Sequence, residues 1–338
     1  MGCDGTSPNE LDQDEDAVNE FELETRIAPA EAGTDARGYR PMPEPPEVEP
    51  GQVSFAVQFR DEVSPYRLMS LFAMPGEQVE LEALFTDGRA SARATAEAGT
   101  LESTGPESWT WTAPDEPGLV RLQITDAQAR ETMTLNAFVL VPFDHRSEAI
   151  DGYALGRYHP EKHNPRRIYR QPPGFVRVTE ELADTQLTPH FTLRPFLCKQ
   201  GSGWPRYAIV NERLLLKLEL LLRELNEEGV AADSLAFISG FRTPQYNATI
   251  GNRTKHSAHL YGAAADIYVD TDGDGRMDDL DGDGDVDRRD AEWFAALVEG
   301  LGDEPHYRPF IGGLGIYGPR PHRGPFIHVD VRGTRARW

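Results

Sequence analysis

The sequence predicts a multidomain protein in which an all-β sandwich precedes an α+β domain. Short runs that alternate between apolar and polar residues occupy positions 51–145, and such period-two runs are typical of antiparallel strands. After position 187, apolar residues with helical spacing are interleaved with short apolar runs, which favours mixed helices and strands. The length of 338 residues is enough for two domains of ordinary size.

Residues 1–50 differ from the rest of the chain, because they are rich in Asp, Glu, Pro and Gly. Such a segment buries too little apolar surface to offset the entropy lost on ordering, so we expect a disordered acidic tether. The formal net charge of −22 argues against a nucleic-acid partner, since phosphate binding needs clustered Lys and Arg. No stretch approaches the roughly 20 apolar residues of a membrane span.

The two cysteines lie in different settings. Cys3 directly follows Gly2 at the head of the tether, which resembles the mature start of a bacterial lipoprotein. We therefore expect a lipid anchor at Cys3 and an extracytoplasmic location, in the periplasm or cell envelope. The alternatives are the myristoylation pattern that the opening also matches and a solvated terminus with an incidental cysteine. Cys198 lies among apolar residues, and we expect a small buried side chain there.

The sandwich prediction for residues 51–145 is based on four alternating runs, at 53–59, 78–85, 119–124 and 132–141. Pro-Gly dipeptides at 75–76 and 117–118 mark turns between them. Trp109 and Trp111 alternate within a further run, and we expect both in the core. The Trp-Thr-Trp-Thr-Ala-Pro segment and the Pro-Gly turn after it resemble bacterial immunoglobulin-like repeats, which implies a spacer or binding module.

Residues 146–186 are weakly patterned and are predicted to be a connector, and the second domain is placed at 187–338. Its clearest helix is 211–225, where leucines form a stripe, Asn211 is the N-cap and Gly229 follows the end. A short buried strand at 236–239, a second helix at 291–300 and a final strand through His328 complete the α+β prediction.

Candidate metal ligands occur in two segments of this domain. His259 and Asp266 are separated by small residues, and His328 lies in the last strand. Imidazole nitrogen and carboxylate oxygen are ligands that Zn²⁺ prefers. Residues two apart in a strand share a face, so Asp330 lies on the same side as His328. Asp330 is then either a partner that orients the ring or a carboxylate near a metal-bound water.

Three ordered motifs carry a family resemblance. They are Ser-Gly-Phe-Arg-Thr-Pro-x-Tyr-Asn at 239–247, Ser-x-His-x-x-Gly-x-Ala-x-Asp at 257–266 and Phe-Ile-His-Val-Asp-Val-Arg at 326–332. Together they resemble the M15 class of zinc D-Ala-D-Ala carboxypeptidases and murein peptidases, over roughly residues 185–333. The resemblance implies a hedgehog/DD-peptidase-like fold and hydrolysis of peptidoglycan stem peptides by a metal-activated water. We expect a monomer.

The resemblance also implies roles for individual residues. His259, Asp266 and His328 would be the zinc ligands. Arg242 would act as the electrophile and bind the scissile carbonyl or the peptide carboxylate, a task suited to its fixed charge and forked donors. The resemblance also implies that Tyr246, Ser257 and Tyr317 contact substrate. The alternative for Tyr317 is a place in the hydrophobic core.

The acid/base position departs from the family. Several members carry Glu three residues before the last ligand, and this chain has Pro325 there. Asp330 is the first substitute and His322 the second, since a metal-bound water needs a neighbouring base. The missing Glu leaves open a non-catalytic metal-binding protein for wall recognition or adhesion. Endopeptidase action and carboxypeptidase trimming are equally open.

An Asp-rich insertion follows Asp266 at residues 270–290. Two overlapping copies of a calcium-loop pattern fit it, with oxygen ligands at loop positions 1, 3, 5, 9 and 12 and Gly at position 6. This resembles dockerin or thrombospondin-type repeats and predicts structural Ca²⁺, because so many carboxylates would otherwise repel one another. The predicted ligands are Asp270, Asp272, Asp274, Asp278, Asp279, Asp281, Asp283, Asp287 and Asp290.

Overall fold

The computed structural model describes residues 51–85, 91–128, 130–159, 167–201, 203–252 and 254–338. The predicted tether at residues 1–50 and the predicted lipid anchor at Cys3 lie outside the described residues. Within these ranges, every helix is too short or too polar to span a bilayer. The architecture is β-rich, with several sheets and few helices.

The first part of the described chain forms two sheets. Their strands are β1 (Gln52–Phe59), β2 (Glu62–Tyr66), β3 (Leu68–Ala73), β4 (Gln78–Leu84), β5 (Ala92–Ala96), β6 (Thr100–Ser103), β7 (Ser108–Thr112), β8 (Gly118–Asp126) and β9 (Thr132–Val139). One sheet has the order β2-β1-β4-β7-β6 and the other β3-β9-β8-β5. The four predicted alternating runs coincide with β1, β4, β8 and β9. Buried and exposed residues alternate along β4 and β8, whereas β1 and β9 are buried on both faces over most of their length.

The prediction of a purely antiparallel sandwich is wrong at one edge. Strand β3 pairs with β9 in parallel, from Leu68 opposite Thr134 to Ala73 opposite Val139. Only Arg67 separates β2 from β3, so the chain passes into the second sheet without a reversing turn. The direction of β3 therefore follows that of β2.

The tryptophans of β7 lie in the core, as predicted. Trp109 and Trp111 are 6% and 0% exposed, and the Trp111 Nε1 atom donates to the carbonyl of Ala98 at 2.9 Å. Burial of a large apolar side chain contributes about 1.5–3 kcal/mol, and the hydrogen bond satisfies the polar end of the indole. These side chains stabilise the packing of this β-rich region.

The predicted connector contributes strands of its own. Strands β11 (Ala149–Ile150), β12 (Tyr153–Ala154) and β13 (Gly174–Val178) lie within it, whereas β10 (Val141–Pro142) precedes it and β14 (Arg206–Ala208) follows it. Strand β13 lies between β10 and β14, and β11 pairs with β12 as a hairpin. The segment is therefore part of the folded structure that joins the sandwich to the C-terminal region.

The C-terminal region combines helices with a five-stranded sheet of order β15-β16-β18-β17-β19. Its elements are α1 (Glu212–Glu227), β15 (Ala236–Ser239), α2 (Pro244–Thr249), β16 (Ala264–Tyr268), α3 (Arg288–Gly300), β17 (Gly313–Tyr317), β18 (Phe326–Asp330) and β19 (Ala336–Arg337). Short 3-10 turns at Arg194–Phe196, Ala258–Tyr261 and Pro305–Phe310 link them. The sheet is antiparallel except between β17 and β19.

Helix α1 begins as predicted, with the Asn211 side chain accepting from the backbone N–H of Arg213. The predicted leucine stripe is too narrow, because α1 is buried on nearly every face, including Lys217 and Glu219. The reason is that α1 contacts β2 and β3 of the sandwich as well as α3. A helix that is enclosed on several sides has no solvated face to reveal.

Ion pairs attach α1 to the sandwich. The Arg60 guanidinium lies 2.7 Å from Glu212 and 2.6 Å from Glu77, and Arg213 lies 2.6 Å from Glu62. Burial raises the pKa of Glu62, an effect that its hydrogen bond with Arg213 opposes. These contacts hold the sandwich against the helix that supports the C-terminal sheet.

Candidate metal centre

The sheet register brings the predicted ligands together. Asp266 of β16 lies directly opposite His328 of β18, and Ser239 and Gly315 continue the same row on the outer neighbours β15 and β17. Residues opposite each other in antiparallel strands project to the same face. His259 enters from the turn Ala258–Tyr261, which ends at Gly262 with a left-handed φ of 65°.

The three predicted ligands form a buried cluster. His259 Nε2 lies 3.2 Å from Asp266 Oδ1 and 3.1 Å from His328 Nδ1, and His328 Nδ1 lies 2.8 Å from Asp266 Oδ1. The residues are 2%, 3% and 6% exposed for His259, Asp266 and His328. The cluster is a candidate metal site, since its ligand atoms all lie within 4.8 Å of one another.

Hydrogen bonds on the outer side of each ring orient both imidazoles. His259 Nδ1 lies 2.6 Å from the carbonyl oxygen of Gly240, which can only accept, so this nitrogen carries the proton. His328 Nε2 lies 3.3 Å from Asp330 Oδ2 and is a donor for the same reason. The remaining nitrogen of each ring therefore directs its lone pair at the cluster centre, the arrangement that metal-binding histidines adopt.

Charge within the cluster is uneven. Burial and the nearby Arg242 guanidinium lower the pKa of His259. Burial opposes ionisation of Asp266, but the charges of His259 and Arg242 outweigh it and hold the pKa well below its usual range. Burial likewise opposes protonation of His328, yet hydrogen bonds with Asp266 and Asp330 raise its pKa. These surroundings favour the ionised form of Asp266 and the neutral form of His259.

Arg242 lies beside the metal ligands. Its Nη2 donates to Asp266 Oδ2 and its Nε donates to Ser239 Oγ at 2.8 Å. The backbone N–H of Arg242 donates to the carbonyl of His259 at 3.2 Å. Arg242 thus orients a ligand carboxylate and places a fixed positive charge at the edge of the cluster.

Asp330 lies on the opposite side of His328 from the cluster. It is fully buried, and its carboxylate accepts from the backbone N–H groups of Gly313 at 2.7 Å and Arg332 at 3.0 Å. The Arg332 guanidinium lies 2.6 Å from Oδ2 and outweighs burial, so the pKa of Asp330 is held well below its usual range. This geometry favours the ring-orienting role over the role of base.

The other predicted site residues are dispersed. His322 is exposed in the turn between β17 and β18, where Arg320 and Arg323 form an isolated bridge, and it has no hydrogen bond or ion pair with the cluster in the described part of the chain. Ser257 is the nearly buried N-cap of the turn that carries His259. Tyr246 lies on α2, and Tyr317 stacks on Phe326 at 4.6 Å.

Trp338 is a site residue that the sequence interpretation missed. Its ring centroid lies 5.0 Å from that of His328, its Nε1 donates to the Tyr317 hydroxyl at 2.5 Å, and the Arg332 guanidinium lies over its ring at 5.4 Å. A Cβ at Gly315 would lie 2.5 Å from the indole nitrogen. The glycines of β17 were the available signal, since glycine in a strand indicates close approach of another group.

Lys217 is the second residue that was missed. Its Nζ donates to the carbonyl oxygens of Asp330 at 2.8 Å and Phe310 at 3.1 Å. Burial lowers its pKa to about 7, an effect that Asp330 partly offsets. The signal was a lysine inside a leucine-rich helix. Lys217 lies four positions before Leu221 and therefore on the same helix face. Lys217 anchors the end of β18 that carries Asp330.

The donor set suits a divalent metal. Two imidazole nitrogens and a carboxylate oxygen converge in a buried space, and each ring is fixed from its outer side. Comparison of the chain with protein-family models, with curated proteins and with solved structures finds no match. The case for a metal therefore depends on the geometry of these residues.

The Asp-rich insertion divides into two groups of carboxylates. One contains Asp270, Asp272 and Asp278, and the other contains Asp279, Asp281 and Asp290. Asp281, which both predicted loops share, lies in the second group with Asp279 and Asp290. Gly275 and Gly284, at loop position 6, have left-handed φ angles of 81° and 94°, as a sharp turn there requires.

The remaining predicted calcium ligands have other partners. Asp274 accepts from the backbone N–H of Arg276 at 2.8 Å. Asp283 lies 2.5 Å from the guanidinium of Arg289, which is also 3.1 Å from Asp287. Asp287 in addition caps α3. These three carboxylates lie outside the two groups.

Proposed function

We propose that this chain is a zinc-dependent peptidase of the M15 class that hydrolyses peptide bonds in peptidoglycan stem peptides. The supporting observation is the convergence of His259 Nε2, Asp266 Oδ1 and His328 Nδ1 within 4.8 Å of one another in a buried space. Their outer hydrogen bonds leave both histidines with inward lone pairs. These three residues would hold the metal and leave a coordination position open.

Bound zinc supplies Lewis-acid polarisation of a carbonyl and lowers the pKa of a bound water to about 7. The residues of the chain prepare the site for this chemistry. Asp330 holds the proton of His328 on Nε2 and so fixes the tautomer that binds metal. Arg242 keeps Asp266 ionised and offers a positive charge to a substrate carbonyl or carboxylate.

In this proposal, the other parts of the chain have supporting roles. The two sheets of β1–β9 would form an immunoglobulin-like spacer, and the chain would act outside the cytoplasm. Each acidic group of the insertion would bind a structural Ca²⁺, for which clustered carboxylate oxygens are suitable ligands. Because β16 carries Asp266 and ends at Tyr268, just before Asp270, calcium would order the end of a strand that presents a zinc ligand.

A second candidate is a non-catalytic metal-binding protein that recognises the cell wall. The observation that favours it is the engagement of Asp330 by Arg332, Gly313 and His328. Pro325 occupies the position of the family's Glu and can accept no proton. Among the described residues, Asp330 is the only carboxylate besides Asp266 that contacts the cluster histidines.

Metal content and hydrolysis together test the proposal. We expect elemental analysis of the purified protein to find one zinc, and purified peptidoglycan to release D-Ala or peptide fragments. His259→Ala should lose both zinc and hydrolysis, whereas His322→Ala, at an exposed position, should keep the zinc. Mass spectrometry of the products distinguishes carboxypeptidase from endopeptidase action. Zinc without hydrolysis would favour the recognition protein, and a protein without zinc would overturn both candidates.

A further inference from the structure

A groove lies beside α2, on the chain that continues from Arg242. Its volume is about 450 Å³. Three segments line it: the β11–β12 hairpin, the chain around Gln200 and Trp204, and the face of α2 that presents Gln245 and Thr249. None of the zinc ligands is among its lining residues, so the groove is separate from the metal centre.

The groove is nevertheless joined to the metal centre by short links. Thr243 follows Arg242 in the chain, and its Oγ1 donates to Gln200 Oε1 at 2.5 Å. The backbone N–H of Gln245 donates to the carbonyl of Leu155 at 2.9 Å, which fixes α2 against the segment after the hairpin. A ligand in the groove would therefore lie next to a substrate held at Arg242.

The walls of the groove are held in place before any ligand binds. Asp151 has a left-handed φ of 48° and Gly152 one of 81°, the pairing that a tight hairpin turn requires. The Asp151 carboxylate also accepts from the Tyr207 hydroxyl. On the other wall, the Arg206 guanidinium lies 4.9 Å from the centre of the Trp204 ring. A preorganised wall costs little ordering entropy on binding.

The chemistry of the lining suits a neutral, polar ligand. Three of its side chains are aromatic, namely Tyr153, Trp204 and Tyr246. Gln245 and Thr249 lie four positions apart on α2 and are both exposed, so they lie on the same side of the helix. The Thr249 hydroxyl donates to the carbonyl of Tyr246 at 2.7 Å, and its oxygen remains an acceptor for a ligand. Asp151 is the only charged residue in the lining. The Arg206 guanidinium beside Trp204 donates to the carbonyl oxygens of Gly201 and Cys198, and the hydroxyl and acetamide groups of a ligand find donors, acceptors and apolar ring surface in the lining.

We propose that this groove is a saccharide subsite that binds a neutral N-acetylated sugar. The choice of sugar depends on the proposed function, because the stem peptides of peptidoglycan are attached to N-acetylated glycan chains. A substrate with its peptide at the metal centre then places its glycan beside α2. Gln245 and Thr249 contact the sugar's polar groups, and the aromatic side chains contact its apolar face.

Calorimetric titration of the full-length protein with N-acetylated chitotetraose tests the subsite. We expect binding to the wild type, both with zinc and after zinc removal by a chelator, and weaker binding of maltotetraose, which has no acetamide groups. The double variant Gln245→Ala/Thr249→Ala should lose affinity about tenfold, the effect of two lost hydrogen bonds. Gln123→Ala/Gln128→Ala, at exposed positions of the sandwich, is the matched control and should bind like wild type.

The outcomes separate this inference from the proposed function. Chitotetraose binding that is weakened by the double variant supports the subsite even in a protein that hydrolyses nothing. Hydrolysis of peptidoglycan by a protein that does not bind chitotetraose overturns the subsite and leaves the peptidase intact. Equal affinity in the wild type and the Gln245→Ala/Thr249→Ala variant also overturns it, since the sugar then binds elsewhere. Circular dichroism and thermal unfolding check that the variant keeps the fold of the wild type.

Discussion

His328 donates through Nε2 to Asp330 Oδ2, which lies 3.3 Å away, while its Nδ1 faces Asp266 at 2.8 Å. Two residues that lie two positions apart on β18 thus have different roles in the candidate metal site. One supplies the ligand atom and the other determines which nitrogen of the ring is available. The same carboxylate is paired with Arg332, so the orientation of the ring is connected to a buried ion pair.

Replacement of Asp330 by Asn should weaken both folding and metal binding. Arg332 is only 8% exposed and would lose its ionised partner, so we expect the free energy of unfolding to fall by about 3–5 kcal/mol. Zinc affinity should fall about 10–100-fold, because the ring loses its orienting acceptor. Chelator competition and urea unfolding measure the two effects.

The control for this variant is Asp303→Asn. Asp303 pairs with Arg335 at 2.9 Å, but its side chain is 91% exposed, so the variant should change the free energy of unfolding by less than about 1 kcal/mol. If Asp330→Asn instead kept full zinc affinity and stability and lost only turnover, Asp330 would be the general base and the orienting role would be wrong.

Trp338 should report metal binding through its fluorescence. Its ring lies 5.0 Å from His328 between ring centres, so a quenching ion such as Co²⁺ at the cluster should reduce its emission. We expect Trp338→Phe to lose most of this quenching and Trp293→Phe, on α3, to keep it. Trp338→Ala should also lower stability by about 2–4 kcal/mol, because a large partly buried ring is removed beside glycines. Quenching that persists in Trp338→Phe would refute the placement.

Lys217 predicts a pH dependence of stability. Burial lowers its pKa from 10.5 to about 7, so the unfolded chain binds more protons than the folded chain between these values. The free energy of unfolding should therefore rise with pH across this window as the unfolded lysine loses its proton. Urea titrations at several pH values should show a rise of about 2–5 kcal/mol in wild type relative to Lys217→Met. Lys255→Met, at an exposed position, should match the wild type, and parallel curves for all three proteins would count against the burial of Lys217.

Asp290 should couple calcium to helix α3. Its carboxylate accepts from the backbone N–H groups of Leu280 at 2.7 Å and Asp287 at 2.7 Å, and it lies in the second acidic group. Calcium at 100 times its dissociation constant should stabilise the folded chain by about 2.7 kcal/mol. Thermal unfolding with calcium and with EGTA measures this shift, and Asp290→Asn should reduce it.

Asp285→Asn is the matched control for calcium, since Asp285 is exposed and outside both acidic groups. Its calcium-dependent shift should equal that of the wild type.

Selective calcium removal should also abolish hydrolysis while zinc stays bound. Unchanged hydrolysis under those conditions would show that the loops do not order Asp266.

The sequence predicted the site better where the relevant pattern is local. Alternation along residues 326–330 placed His328 and Asp330 on one face, and His259 and Asp266, separated by small residues, were identified as candidate ligands. The outer partners depend on tertiary structure. That Asp266 faces His328 follows from the pairing of β16 with β18, and strand register between distant segments is not encoded in either segment alone.

The same limit explains the fold. The alternating runs of β4 and β8 were visible because each of these strands has an exposed face, whereas the direction of β3 depends on how the chain crosses between sheets. Helix α1 appeared one-sided because its leucines satisfy a helical period, although neighbouring elements also cover Lys217 and Glu219. Burial of charged residues reflects what packs around them, which a single segment does not reveal.

Gly313 and Gly315 of β17 carry no functional group, yet they restrict the geometry of the site as strictly as its ligands do. A Cβ at Gly313 would lie 2.4 Å from Asp330 Oδ2, and one at Gly315 would lie 2.5 Å from Trp338 Nε1. Even alanine at either position would displace the groups that orient His328. In a library that replaces each residue in turn, positions 313 and 315 should therefore tolerate substitution as poorly as positions 259, 266 and 328. Selection for function in such a library would identify this strand before its chemistry is known.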